Sequence, residues 1–199
     1  MCWNATVSLN TYIFTLFASG FALANKVITP MEFAFVQSFS TMQLLEYFIW
    51  SKSASNAFLS KLAYFSLLIQ PIFSILAIKK ETKYIPYLLM GYAVFLVCVF
   101  IYKPLSKINF ISTKGPNGHL AWHWLDLPLI LIVIWMFFLL IRFIIQKNYI
   151  IFITVLIFVV SCYVLYHKTH TWGSMWCWVS NAIAIVFIYQ VFRKEFCSI

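Results

Sequence analysis

Four histidines stand in two closely spaced pairs, His119 with His123 at i, i+4 and His167 with His170 at i, i+3. On helices each pair would present two imidazoles on one face, the spacing at which zinc is held. Three such nitrogens plus a carboxylate, Asp126 or Glu46, could hold a metal with one position open for water. Gly115-Pro116-Asn117-Gly118 adjoins the first pair and is a turn signal, so a helix through His119 is not assured. The second chemically capable set is a carboxylate inside an apolar run. Glu46 has Gln43 one turn before it, and Gln70, Ser66 and Asn181 fall inside other apolar runs.

These groups sit in a chain that is 63% hydrophobic, 20% aromatic and only 10% charged over 199 residues, with a mean hydropathy of +0.91. Soluble domains run near half apolar and about a quarter charged. Collagen, disordered tails, coiled coils and small disulfide scaffolds are excluded on the same grounds. A span of ~30 Å of hydrocarbon takes about 20 residues of helix. Seven apolar segments can be marked: Asn10–Ala24, Met31–Trp50, Ala57–Ile78, Tyr84–Tyr102, Leu125–Ile145, Tyr149–Tyr166 and Gly173–Phe192. The expected fold is all-α, a polytopic integral membrane protein with seven transmembrane helices in one bundle. Residues 1–199 form one domain with a longer connection at about 103–124.

The formal charge of +9 comes from 14 basic and 5 acidic residues. The basic residues fall between apolar runs, where they meet lipid headgroups, so the bilayer and not nucleic acid is the partner they indicate. No Lys or Arg precedes the first segment, which argues against a cleaved signal peptide. With the N-terminus outside, Lys26, Lys79, Lys80, Lys83, Arg142, Lys147, Arg193 and Lys194 are cytoplasmic, against Lys52, Lys61, Lys103, Lys107, Lys114 and Lys168 outside. The bias favours N-terminus outside and C-terminus cytoplasmic.

Seven spans put the N-terminus and the second, fourth and sixth connections on one side. All four histidines lie there with seven of the eight tryptophans, among them Trp3, Trp50, Trp122 and Trp176. Tryptophan belts mark both interfaces of ordinary membrane proteins; the one-sided set reads as an aromatic entrance, or as a thick interfacial anchor. Cys2 and Cys177 fall near the same mouth and could pair.

Polar side chains in spans should face protein or a wet cavity. Glu32, Val36, Phe39, Gln43, Glu46 and Trp50 form one helical stripe, and Glu46 lies ~6 Å inside its span end. Glu32 suits a helix N-terminus. Thr11, Thr15 and Ser19 repeat every four residues, as do Ser66, Gln70 and Ser74; Ser174, Cys177 and Asn181 follow at three and four. Pro71 removes the amide that would pair with the Leu67 carbonyl. Segments four, five and six are nearly all apolar. Segments one, two, three and seven are therefore expected to enclose a polar cleft running past Glu46, Gln43, Gln70, Ser66 and Asn181, with four, five and six towards lipid.

His119-Leu120-Ala121-Trp122-His123 resembles the His-x-x-Trp-His motif of the alkaline ceramidases, relatives of the adiponectin-receptor membrane hydrolases. Trp3-Asn4-Ala5-Thr6-Val7-Ser8-Leu9-Asn10 resembles their Trp-Asn-Thr-x-Ser-Asn string. The resemblance implies a seven-span zinc amidase acting on lipid, with His119 and His123 as ligands. That family places the pair in its last span, whereas three segments follow it here, and no acid or histidine in segments two and three matches the remaining ligand positions. Cys2-Trp3-Asn4 and Gly118-His119-Leu120 also resemble small seven-span proteins of large DNA viruses and protists, which implies no activity.

No Walker loop, potassium-filter string or GxSxG occurs, and the seventh segment has no lysine for a retinal Schiff base. The leading expectation is a non-enzymatic small transporter or channel-like bundle moving or binding a small solute, ion or proton. No cofactor is then expected. The alternatives are a zinc-dependent lipid hydrolase using His119, His123, His167 or His170, and a membrane scaffold without chemistry.

Overall fold

A computed structural model describes residues 3–79 and 82–196, apart from the side chains of Thr82, Trp176, Cys177, Trp178, Glu195 and Phe196. Among the described residues the chain forms seven α-helices: α1 (Ala5–Ala24), α2 (Pro30–Trp50), α3 (Asn56–Leu76), α4 (Ile85–Tyr102), α5 (Leu129–Ile145), α6 (Tyr149–Tyr166) and α7 (Cys177–Phe196). A hairpin of β1 (Ser112–Lys114) and β2 (Leu120–Trp122) lies between α4 and α5. Its strands are antiparallel, with Ser112 opposite Trp122 and Lys114 opposite Leu120.

Local chemistry sets the helix ends. The Asn4 side chain accepts the Val7 amide at 2.9 Å, so α1 starts five residues before the expected Asn10. Thr29 and Glu32 form a reciprocal capping box at α2, with Pro30 in the first turn. Pro128 delays α5 to Leu129, and a short 3-10 turn over Gly173–Trp176 delays α7 to Cys177.

Helices α1, α2 and α5 end in the same way. Lys26, Lys52 and Lys147 adopt left-handed φ of 53°, 51° and 58°. The next amide reaches back five residues in each: Val27 to Ala22, Ser53 to Phe48 and Asn148 to Phe143. This is the bonding of a Schellman cap. Lysine replaces the usual glycine, placing a cation at the negative end of the helix dipole.

Helix α2 packs between α1 and α3; α7 lies on α1, α4 and α5 on α3, and α6 on α5. The main apolar core joins α2, α3, α4, α5 and the hairpin, and Ala22, Ile28 and Val191 form a small second one. Helices α1, α3, α4, α6 and α7 are long and apolar enough to cross a membrane. The count is five where composition predicts seven: α5 has 17 residues, and the polar side chains of α2 dilute its hydropathy. The chain is an integral membrane protein by this measure.

Helices α4 and α6 carry the expected outward apolar faces, with only 17% and 11% of their apolar stretches buried. Helix α5 corrects the expectation. Ile132, Trp135, Met136, Phe138, Leu139, Leu140, Arg142 and Phe143 are buried. Lipid-facing and protein-facing helices are equally apolar, so composition does not separate them.

Candidate functional site

Polar side chains lock α1 against α2 and α7. Asn181 donates to Thr11 Oγ1 at 3.4 Å, and Thr15 Oγ1 donates to the carbonyls of Thr11 at 2.9 Å and Ser180 at 3.4 Å. Ser19 donates to the Thr15 carbonyl at 2.6 Å and accepts from Gln37 at 2.8 Å. Ser40 donates to Gln37 Oε1 at 3.3 Å. Further along α2, Gln43 and Glu46 are each 1% exposed. A rise of ~1.5 Å per residue sets Glu46 about 6 Å inside the end of α2, near the depths of Thr11 and Asn181 in theirs. Of the predicted residues, Gln43 and Glu46 are thus buried near the end of α2, and Asn181 is half-buried near the start of α7.

The row on α3 divides. Gln70, fully buried, donates to the Ser38 carbonyl of α2 at 3.3 Å, and its Oε1 has no hydrogen-bond partner among the described residues. Ser74 donates to the Leu139 carbonyl of α5 at 2.6 Å, and Ser66 is half-buried. Pro71 explains one further bond: the Leu67 carbonyl, deprived of its amide, accepts the Trp135 indole N–H at 3.2 Å. Beside it, Tyr92 donates to the Leu68 carbonyl at 2.6 Å. Backbone acceptors freed in a membrane must be satisfied by neighbours. Here the indole of α5 does so, and together with the Tyr92 bond from α4 it ties both helices to α3.

Trp3 and Trp122, two of the residues expected to form an entrance, lie at one end of the bundle. The N-terminal turn, the start of α3, the hairpin and the α6–α7 connection meet there. Asn56 Nδ2 donates to the Ser112 carbonyl at 2.8 Å and Asn56 Oδ1 accepts the Ser112 amide at 2.9 Å. Trp124 donates to Ser112 Oγ at 3.0 Å; Ser112 and Ser60 hydroxyls lie 2.8 Å apart, and Ser60 donates to Asn56 Oδ1 at 3.0 Å. Because the indole only donates and this carbonyl oxygen only accepts, the chain runs Trp124 to Ser112 to Ser60 to Asn56. Asn56, Ser60 and Ser112 were not singled out by spacing; their bonds cross 52 to 56 residues.

Trp122 and Trp124 stack at 5.1 Å, and Trp3 meets His119 edge-on at 6.2 Å. Trp50 closes the last turn of α2. The side chain of Trp176 and any pairing of Cys2 with Cys177 fall outside the described residues.

The histidines are not on helices in their predicted pairs. His119 precedes β2, and His123 follows it in a short 3-10 turn. Its Nε2 shares a hydrogen bond with Thr113 Oγ1 at 3.1 Å. The Trp122 amide donates to the His170 carbonyl at 2.8 Å, bringing the rings of His123 and His170 within 4.7 Å, with His167 6.4 Å from His170. Burial lowers His119 to about 4 and lowers His170 too, helped by neighbouring His123. Among the described residues no group of three His, Cys, Asp or Glu side chains could hold a metal ion.

At the opposite end Glu32 accepts from Thr29 and pairs with Lys79 at 3.1 Å and Arg142 at 3.6 Å. The Arg142 guanidinium, its side chain 9% exposed, lies 4.9 Å from the Phe35 ring and 4.7 Å from that of Phe143. The positive-charge count treats Arg142 as a headgroup residue; the structure buries it. A lone arginine in an apolar run at a span end carries no sign of its partner 110 positions earlier.

Comparison of the chain with family models, curated proteins and solved structures finds no match.

Proposed function

We propose that this is a seven-span membrane protein, N-terminus outside and C-terminus cytoplasmic, that binds or moves a proton or small cation, or a small solute with it, at a site centred on Glu46. Gln43, Gln70, Ser66 and Asn181 would line the route, and the Trp3, Trp50 and Trp122 end would form its entrance. One observation carries the reading: a carboxylate 1% exposed, at the depth where α1, α2 and α7 are cross-linked by side-chain hydrogen bonds. Intramembrane acids are costly and mark ion and proton paths. Hydroxyls and amides worth only ~0.6 kcal/mol each as helix glue do not require an acid among them.

Glu46 would exchange a proton, or replace part of a cation's hydration shell with its carboxylate oxygens. The packed arrangement corresponds to a closed state, and passage then needs α7 or the hairpin to move. The protein reconstituted in liposomes should carry proton or alkali-cation flux, reported by an internal dye, and Glu46→Gln should reduce it at least tenfold. Unchanged flux in that variant overturns the reading. Stoichiometric zinc in the purified protein, with lipid amidase activity, would favour the hydrolase alternative through His123 and His170.

A further inference from the structure

We propose that a cavity between α3, α4, α5 and the hairpin binds a small neutral molecule, an ethanol-sized hydrocarbon body carrying one oxygen that pairs with the Tyr64 hydroxyl. Leu68, Val99 and Ile132 bring one hydrocarbon side chain from each helix to its walls, and Trp122 of the hairpin and Trp172 of the α6–α7 connection complete the lining. A Cβ on Gly173 would run into the Trp122 ring. The glycine thus lets the backbone lie against the indole, which holds that wall in place. The cavity has a volume of about 30 Å³, and ~10–15 Å³ admits one water. A group of two or three heavy atoms therefore fits, and a lipid chain does not.

One lining group has unused bonding capacity. Tyr64 is 1% exposed, and its hydroxyl has no hydrogen-bond partner among the described residues. The donors beside it are committed: Tyr92 to the Leu68 carbonyl at 2.6 Å and Trp135 to the Leu67 carbonyl at 3.2 Å. A buried hydroxyl left unpaired is destabilising, and a ligand oxygen would remove that cost. Water is a poor occupant, because it needs about two to four polar partners and these walls are mostly hydrocarbon. An ion would lose its hydration to the same walls without recompense. A molecule with one oxygen on a short hydrocarbon body suits both the walls and the hydroxyl. It also partitions into the bilayer, and Leu125 and Leu127, which line the cavity too, are only half-buried. Entry from the lipid then needs side-chain movement alone. Binding here is independent of any passage at Glu46.

The test uses the full chain in a non-ionic detergent, titrated with 2-fluoroethanol or with fluoroethane, which lacks the oxygen, and followed by fluorine NMR line broadening. Fluoroethanol should bind saturably at one site, roughly fivefold more tightly than fluoroethane, and ethanol should displace it. Tyr64→Phe removes a hydroxyl that holds nothing in the fold, so it should melt no lower than the parent. It should bind fluoroethanol roughly fivefold more weakly, as loss of one hydrogen bond of about 1 kcal/mol gives, so that the two probes bind alike. Val99→Phe should fill the cavity and remove saturable binding; Ile132→Phe is the second such variant should the first not fold. Broadening that does not saturate in the parent overturns the proposal. So does a preference for fluoroethanol that survives Tyr64→Phe, or saturable binding that survives filling of the cavity.

Discussion

Two glutamates lie on one stripe of α2, 14 residues and ~21 Å apart, and they have opposite settings. Glu32 is 8% exposed and saturated: two bonds from Thr29, a lysine and an arginine. Glu46 is 1% exposed and lies near the end of α2 where hydroxyl and amide groups of α1 and α7 bond one another. Residue type and helical phase are the same. The ion pairs of Glu32 with Lys79 and Arg142 assign it to holding α2 to the end of α3 and to α5, while Glu46 is the acid on which the proposed function rests.

The largest effect should therefore come from Glu32. Its removal as Glu32→Ala strands the Arg142 guanidinium in an apolar sandwich of Phe35 and Phe143. Breaking a buried pair by deleting one partner costs about 3–5 kcal/mol. Thermal unfolding in detergent should show this for Glu32→Ala, with partial recovery in Glu32→Gln combined with Arg142→Met. Glu46→Gln should melt within about 1 kcal/mol of the parent, since a neutral amide needs less hydration than a buried carboxylate. If Glu46→Gln unfolds as readily as Glu32→Ala, the contrast between the two acids is gone.

Much of this contrast was visible in residue order, and the remainder was not, for identifiable reasons. Helix breaks at Asn25-Lys26, Ser51-Lys52-Ser53 and Gln146-Lys147-Asn148 were read from polarity, and the structure turns at each. The four-residue repeat of Thr11, Thr15 and Ser19 does face protein, because a period near 3.6 keeps it on one side. The repeat of Ser66, Gln70 and Ser74 misleads. Gln70 bonds α2 and Ser74 bonds α5, so one face of α3 touches two neighbours at different depths. The hairpin was hidden because its register rests on Ser112, whose partners are remote in sequence. The role of Arg142 was hidden likewise: charge counting assigns a side of the membrane, never a partner.

Comparing the two ends of the bundle gives the next effect. The Glu32 end is held by ions and the other by neutral hydrogen bonds through Ser112. Ser112→Ala removes the acceptor of the Trp124 indole and the donor to Ser60, leaving buried polar atoms unmatched. Each such group costs about 1–3 kcal/mol, so a loss in that range is expected, smaller than that of Glu32→Ala. Added salt should leave this variant's deficit unchanged. A salt-dependent deficit at Ser112 would mean that the ends do not differ in kind.

The smallest predicted effect concerns acid. Histidine occurs only at the hairpin end, and burial holds His119 at about 4 against an ordinary 6.5. Its folded value is depressed, so the unfolded chain takes up the proton first. Stability is complete above pH 6.5 and declines as the pH falls from there towards 4. His170, lowered by burial and by His123, adds in the same direction. Both rings keep some solvent contact, which screens the effect to of order 1 kcal/mol. Between pH 7 and pH 5 the hairpin should loosen, seen as a change in tryptophan fluorescence from Trp122 and Trp124, while protease access at the Glu32 end stays constant. His119→Asn with His170→Asn should flatten the response. If acid loosens the Glu32 end equally, or the double variant responds as the parent does, the histidines do not set the acid sensitivity of the hairpin.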